Sequence, residues 1–263
     1  MKTAVAIEEK RLEGMTGIED YPWFKERHRV FPAVFEDRQH KRVMDISAGM
    51  GCAAQRIRDL YPAKIICNDI TPTCVTALRK IGLETVSFDL DDDTQPYPFP
   101  DGSFDAIVSL VTIEHLIHVD YFIQQIHRLL EPNGYLYVST PNYAAPEYVG
   151  RVLFTGQSYH DPLGDPDTRY EFYAHVRYFT YKTLLSFVAS FGFTPVAAYI
   201  AKPAGSARFR ELSQKNRLAA VSIQSLMTLY YSVFPPTYAS EPILCFRKGA
   251  APAGREKFRK VVL

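Results

Sequence analysis

The sequence predicts an α/β fold built on an open, mostly parallel sheet, and three observations carry that prediction. Short apolar runs recur at 42–46, 64–68, 84–88, 104–110 and 134–140. Helical stretches at 52–60, 72–81 and 119–130 fall between them, with one shorter connection over 90–103. The first run opens into a turn of small residues, Ser47-Ala48-Gly49-Met50-Gly51. Strands alternating with helices imply right-handed βαβ crossovers. Sheets of this kind bind ligands beyond the carboxyl ends of their strands.

The bulk numbers set the frame. A chain of 263 residues can bury a full core, and a single domain is expected. Its core covers about 38–142 and 175–249, with a cap from 1–37, 143–174 and 206–236. Lys plus Arg number 30 against 29 Asp plus Glu, a balance that gives no reason to expect a nucleic-acid partner. Cys52, Cys67, Cys74 and Cys245 form no CxxC pair and no metal spacing. Buried thiols in a reducing compartment, the cytoplasm, are the expectation. Met1 to Ile7 has one lysine and too short an apolar run for a signal peptide.

Taken in order, residues 1–20 show no clear period and read as a lead-in. Residues 21–37 carry aromatic and aliphatic side chains at roughly helical spacing, with Pro32 as a break and Tyr21 and Arg29 as residues that could reach a ligand. The strand 42–46 ends on Asp45 and the small-residue turn. Glycines at 49 and 51 let backbone approach a ligand closely, and the helix behind them directs free N–H groups at it. Asp45 would repel a phosphate and attract an ammonium group. Strand 64–68 leads to Asp69 and Ile70, about twenty residues after the turn, where a carboxylate can accept ribose hydroxyls. Strand 84–88 ends in Asp89 and Leu90. Strand 104–110 ends on Leu110 and runs into Ile113-Glu114-His115, and strand 134–140 into Pro141-Asn142. One acid at a strand end is ordinarily a helix cap or turn former. Three on successive strands around one glycine turn are harder to assign to capping.

With those residues in view, the chain resembles the class I S-adenosylmethionine-dependent methyltransferases, within them the type 11 small-molecule group. The acid-x-Gly-x-Gly-x-Gly motif of that family corresponds to Asp45 through Gly51, with Ser47 in the place of the first glycine. Tyr97 through Asp105 looks like its proline-aromatic loop. Leu129 through Tyr135 looks like its turn before the fifth strand, with Asn133 for a glycine. The resemblance covers 42–142 and extends through His175-Val176-Arg177-Tyr178-Phe179-Thr180. It implies a Rossmann-like, seven-stranded, mostly parallel sheet with an antiparallel last strand, helices on both faces, and S-adenosyl-L-methionine as cofactor. It implies that Asp45 meets the methionyl ammonium, that backbone around Ser47, Ala48, Gly49 and Gly51 meets its carboxylate, and that Asp69 holds the ribose. Asp89 and Leu90 would read the adenine edge, with Ile70 and Leu110 on its faces. Gly49-x-Gly51-x-x-Ala54 also fits a dinucleotide fingerprint, but a pyrophosphate would meet Asp45 as a like charge.

The acceptor is expected to be a small molecule methylated at oxygen. Transfer to nitrogen, carbon or a carrier-linked sugar, and a non-catalytic cofactor-binding subunit, remain as alternatives. His115 is the first candidate for general base, with Glu114 and His175 beside it, and His118, His160, Asp161 and Tyr170 more distant. Some relatives carry Glu-x-x-Glu-His here and bind a divalent metal. Val111 stands where the first Glu should be, so no metal is expected. Residues 143–174, rich in Tyr, Gly, Pro and Asp, read as a substrate-binding insertion, with Tyr143, Tyr148, Tyr159, Tyr170 and Tyr173 as aromatic walls. Residues 194–201 and 243–246 supply the last two strands. Residues 206–240 read as a helical segment without charge from Leu218 onward, stopped by Pro235 and Pro236. That helix is expected to be buried or to form a homodimer contact, with membrane-surface contact through 218–236 as the lesser reading and no transmembrane span. The tail from Gly249 reads as solvated.

Overall fold

A computed structural model describes residues 4–20, 31–36, 38–158, 160–164, 166–201, 207–233, 236–249 and 258–263. The expectations for Tyr21, Arg29 and Tyr159 lie outside these residues. Helix α1 (Ala4–Arg11) and α2 (Phe31–Glu36) precede β1 (Arg42–Ile46), α3 (Cys52–Leu60), β2 (Lys64–Asn68), α4 (Pro72–Lys80) and β3 (Glu84–Thr85). Then come β4 (Phe104–Leu110), α5 (Val119–Leu129), β5 (Leu130–Ser139), α6 (Pro146–Thr155), α7 (Pro166–Ala174) and α8 (Tyr181–Ala189). The chain ends with β6 (Phe193–Ile200), α9 (Ala207–Lys215), α10 (Arg217–Val233), β7 (Ile243–Lys248) and β8 (Arg259–Val262).

The sheet runs in the order β3-β2-β1-β4-β5-β7-β6-β8. Strands β1 to β5 pair in parallel, and β7 lies antiparallel between β5 and β6. The alternation of side chains along a strand places apolar groups on both faces. Met44, Ile46 and Ile107 face Phe122, Ile123 and Ile126 of α5 and Leu184 and Val188 of α8. Val43, Ala106, Val108 and Tyr137 face α2, α3 and α4 through Phe31, Phe35, Ile57 and Leu78. The chain is thus helices over both faces of one sheet, as the sequence predicts.

Four departures have physical reasons. The sheet has eight strands, not seven, because Arg259–Val262 pairs in parallel with β6, from Ala197 with Arg259 to Ile200 with Val262. The tail expected to be solvated instead covers an edge whose N–H and C=O groups would otherwise lack partners. The antiparallel strand is therefore the seventh, and the last one runs parallel to its neighbour. The third strand is shorter than 84–88, since beyond Thr85 the side-chain amide of Asn68 donates to the carbonyls of Val86 and Phe88 at 3.3 and 3.0 Å.

The insertion 143–174 holds two helices rather than an irregular wall. Helix α6 starts with Pro146 and ends at Gly156 in the left-handed region (φ 70°). The charge-free segment after Leu218 is not buried within this chain. Asn216 breaks the helix before it and its Oδ1 accepts from Ala219 N–H at 3.0 Å. In α10, Ala220 and Tyr231 face inward, while Leu218, Val221, Leu226, Leu229 and Val233 are exposed. Among the described residues no helix is long and apolar enough to cross a membrane.

The glycine turn is where the fold tolerates least. Gly51 has φ 91°, and a Cβ there would stand 2.9 Å from a methyl of Leu78 and 3.1 Å from Ile81. Gly51→Ala should cost about 1–3 kcal/mol in chemical denaturation. An unchanged midpoint would show that α4 can move aside.

Candidate active site

The carboxyl ends of β1, β2 and β4 and the helices α1 and α7 enclose a cavity of about 550 Å³. Its sheet side is built by the predicted residues Ser47, Gly49, Asp69, Ile70, Asp89, Leu90 and Leu110. Asp45, Ala48 and Gly51 do not reach the wall and stand behind the turn. Ala48 N–H donates to Asn68 O at 2.9 Å and Gly51 N–H to Ala48 O at 3.0 Å, so both set the turn's shape.

Asp69 is buried, and its two oxygens accept from Gly49 N–H and Thr71 N–H, each at 2.9 Å. Burial raises its pKa above the usual carboxylate range, against those two backbone donors. The Thr71 hydroxyl also bonds this carboxylate, which retains acceptor capacity for a ligand hydroxyl. Asp89 is exposed, and its Oδ1 accepts from Asp91 N–H at 2.9 Å. Asp45 is only 3 % exposed. Burial, then the nearby charge of Asp69, pushes its pKa up to about 7, although Ala54 N–H in the first turn of α3 donates to it. Its Oδ2 is buried with no hydrogen-bond partner.

Among the described residues, three other than glycine adopt the left-handed region, two of them on the cavity wall. Ser47 (φ 56°) occupies the place of a glycine and adopts a glycine-like conformation, so the substitution costs strain without changing the path. Asn133 (φ 65°) does the same before the exposed turn of β5, as the sequence suggests. Val111 (φ 56°) is different: a β-branched residue there is strained, and it lies on the cavity wall directly after β4. Nothing in its residue type signals that.

On the opposite side, His115 and His175 line the cavity with ring centroids 4.7 Å apart. His115 Nδ1 donates to Ala174 O at 3.1 Å. Glu114 is fully buried beneath them, bonded through Oε2 to Thr140 Oγ1 at 2.9 Å, and its main-chain oxygen accepts from Val176 and Arg177 N–H. One donor atom each of Glu114, His115 and His175 lies within 4.8 Å of the others, a spacing three ligands of one cation could take. The predicted trio thus meets in space although His175 is sixty residues away. His118 instead turns to Asp91, accepted by its main-chain oxygen at 2.8 Å.

Several wall residues are illegible at the sequence level. Helix α1, read as a loose lead-in, brings Glu8, Arg11 and Leu12 to the cavity. Arg11 Nε donates to Glu8 Oε2 at 3.0 Å, its guanidinium lies 4.9 Å from the Tyr170 ring centre, and Tyr170 bonds Glu8. The next residue, Glu9, accepts from Thr73 N–H at 2.8 Å at the start of α4. Charged residues spaced i, i+3 on a short helix are the only local hint. Of the expected aromatic walls, Tyr170 and Tyr173 line the cavity, whereas Tyr143 and Tyr148 do not and pack on each other with tilted rings (4.7 Å between ring centres).

Fold and site together define a Rossmann-like cofactor-binding domain with its ligand at the carboxyl edge of the sheet. The chain belongs to the methyltransferase-domain family, whose match spans residues 15–198. It is a class I S-adenosylmethionine-dependent methyltransferase by family. It is 32 % identical over 119 residues to a fatty-acid O-methyltransferase of Mycolicibacterium smegmatis, covering 43 % of this chain and 42 % of the relative. It is 29 % identical over 137 residues to a ubiquinone biosynthesis O-methyltransferase of Chelativorans sp., covering 48 % and 54 %. The chain thus spans about half the length of these curated relatives. The fold is that of phosphoethanolamine N-methyltransferase 2 of Haemonchus contortus in complex with phosphomonomethylethanolamine and S-adenosylhomocysteine. That match has TM-score 0.62 and 14 % identity over 95 % of this chain and 61 % of that one. A Thermotoga maritima protein described as a possible histamine N-methyltransferase has TM-score 0.60 and 15 % identity, over 94 % and 100 %. S-adenosyl-L-methionine is the cofactor of this family.

Asp45 generates a stability prediction. An acid whose folded pKa is raised binds more protons folded than unfolded, so stability falls as pH rises between about 4 and 7. Asp45→Asn removes that loss and should raise the stability of the ligand-free protein at pH 8 by on the order of 3 kcal/mol. Thermal melts at pH 5 and pH 8 read it. A variant equally or less stable at pH 8 would mean that the carboxylate ionises without penalty.

Proposed function

We propose that the protein transfers the methyl group of S-adenosyl-L-methionine to a small molecule, at oxygen, with His115 and His175 as the local bases. One observation carries the reading: two imidazoles in ring contact face the same cavity that Asp69, Asp89 and the glycine turn enclose. The cofactor supplies a methyl already activated on a sulfonium. The chain has to align an acceptor, exclude water and remove a proton. The names of the fatty-acid, ubiquinone biosynthesis and tocopherol O-methyltransferases among its relatives support oxygen as the acceptor atom. The outer wall of Leu116, Ile117, Tyr170, Tyr173 and Val176 suits an apolar or planar acceptor.

The residues fit the cofactor in the following way. Asp69 keeps lone pairs for the ribose hydroxyls, and exposed Asp89 with Leu90 meets the adenine edge between Ile70 and Leu110. The partnerless Oδ2 of Asp45 suits an ammonium, directly or through a water molecule. The base pair His115 and His175 stands with Glu114 and needs no metal. The charge-free outer face of α10 is available for a homodimer contact.

Calorimetry should show S-adenosyl-L-methionine or S-adenosylhomocysteine binding at micromolar levels, and preference for NAD would overturn the assignment. Asp69→Ala should weaken that binding by about 1–3 kcal/mol, and unchanged affinity would place the ribose elsewhere. Binding should also weaken as pH falls below 7, because a proton competes with the ammonium for Asp45. Asp45→Asn should abolish that dependence. His115→Ala should lower turnover more than cofactor affinity, and EDTA should leave turnover unchanged. A loss restored by a divalent cation would turn Glu114, His115 and His175 into a metal site.

A further inference from the structure

We propose that the outer face of α10 is a docking surface for an anionic lipid bilayer, laid into its interface with Arg210 and Arg217 set against the lipid phosphates. The proposal goes beyond the methyl-transfer reading and does not depend on which acceptor atom takes the methyl.

The face is apolar where a surface helix is ordinarily polar. Ala220 and Tyr231 of α10 are buried, and Tyr231 packs with Ile200 and Ala239, with Met227 and Val262 against them. On the opposite face Leu218, Leu226, Leu229 and Val233 are 62–82 % exposed, with Val221 beside them. The exposed residues between them are serines, Ser222, Ser225 and Ser232. No charged side chain stands from Leu218 to Ser240. An amphipathic helix of a globular protein turns its leucines to the core and its charges to water. Helix α10 turns leucines to the outside, and a contiguous apolar face of this kind marks an interaction surface.

Charge says what lies against it. The sequence before this face carries Lys202, Arg208, Arg210, Lys215 and Arg217 against Glu211 alone, in a chain whose net charge is +1. Arg210 and Arg217 are exposed, and Lys215 Nζ pairs with Glu211 Oε1 at 2.6 Å. Cations next to an apolar helix face are the pattern of a segment lying in the interface of an anionic membrane, where each Lys or Arg adds attraction to the headgroups. A second exposed apolar run of the cap, Val152, Leu153 and Phe154 at the end of α6, lacks that complement. It is followed by Asp161, Asp165 and Asp167, which anionic lipid repels.

Size decides against a second copy as the occupant. Helix α10 has 17 residues, so its face is about 25 Å long and about 10 Å wide. That is about 250 Å², against about 800 Å² per partner in a stable protein interface. A lipid surface sets no such requirement. Among the described residues no helix is long and apolar enough to cross a membrane, so α10 lies along the surface. Its place in the fold gives the docking a use. Asn142, just beyond β5, donates through Nδ2 to the carbonyls of Thr237 and Ala239 at 2.8 and 2.7 Å, and its N–H donates to Ser240 O at 2.8 Å. The chain leaving α10 is thus tied to the carboxyl end of the sheet, the edge that carries the cavity. Docking holds that edge at the surface in which an apolar acceptor dissolves.

Flotation of the full chain with lipid vesicles tests this without turnover. The protein should float with vesicles of phosphatidylglycerol and phosphatidylcholine in equal parts and stay behind with phosphatidylcholine alone, and raising the salt should release it. Leu226→Glu with Leu229→Glu should lower the partition coefficient about 100-fold, the scale of two leucines kept from lipid. Arg210→Ala and Arg217→Ala should each lower it about fivefold. These residues stand away from the cavity, so circular dichroism of the variants should match the parent, which separates lost docking from lost folding. Leu153→Glu with Phe154→Glu on α6 should bind vesicles as the parent does. A parent chain that does not float with the anionic vesicles at low salt overturns the proposal, as does an equal loss from the α6 variant. A dimer in sedimentation velocity that Leu226→Glu with Leu229→Glu splits would make a second copy the occupant and overturn the lipid assignment.

Discussion

The carboxylate of Asp69 is the constraint on which the site depends. It binds the N–H of Gly49 at the end of β1 and of Thr71 at the start of α4, so two strand ends and a helix are registered by one side chain. Its burial makes this expensive, since a desolvated carboxylate must be compensated. Two backbone donors supply part of that. Asp45 lies near enough to feel its charge, and Glu8 adds another. Arg11 is engaged with Glu8. Buried carboxylates this close to one another favour the approach of a positively charged group over that of an anion.

Around that floor the backbone is held in unfavourable conformations at the two adjoining strand ends. Ser47 follows β1 and Val111 follows β4, both at φ 56°. The hydrogen bonds flanking them are ladder-like: Ala48 N–H reaches Asn68 O across to β2, and Val111 N–H reaches Ser139 O across to β5. Pairing on both sides therefore over-determines the strained residues, the condition under which such strain persists. Asn142 closes the same edge by accepting from Tyr181 N–H and donating to the carbonyls of Thr237 and Ala239. The sheet edge is thus held by paired backbone and side-chain bonds on the side where the cofactor is expected.

What could be read from the sequence follows this division. Strands β1, β2, β4 and β5, the turn and the acids after them were legible because short continuous apolar runs and strand-end chemistry are local signals. Ser47 as a glycine substitute was legible as well, though its positive φ was not. The eighth strand was not legible: Arg259 and Lys260 suggest a solvated tail, and only the open edge of β6 gives Val261 and Val262 a partner. Helix α10 was legible as a helix but not in its degree of burial. Its charge-free composition suggests burial or a dimer contact; Ala220 and Tyr231 are buried and Met227 and Tyr230 partly so, while Leu218, Leu226 and Leu229 are exposed. The contribution of α1 through Glu8 and Arg11 was also hidden, since an eight-residue helix with little amphipathic pattern acquires its role only by meeting α7.

The cap helix α7 joins the cofactor side of the cavity to its histidine side. Its Tyr170 packs on Arg11 and bonds Glu8 on the cofactor side. The adjacent Glu171 holds His160, and the end of the helix supplies the Ala174 carbonyl that orients His115. The same turn therefore walls the cavity and holds side-chain bonds to His115 and His160. Any shift of α7 that widened the cavity would also break the bonds that orient His115 and place His160, so the room in the cavity and the placement of its histidine side are coupled through one helix.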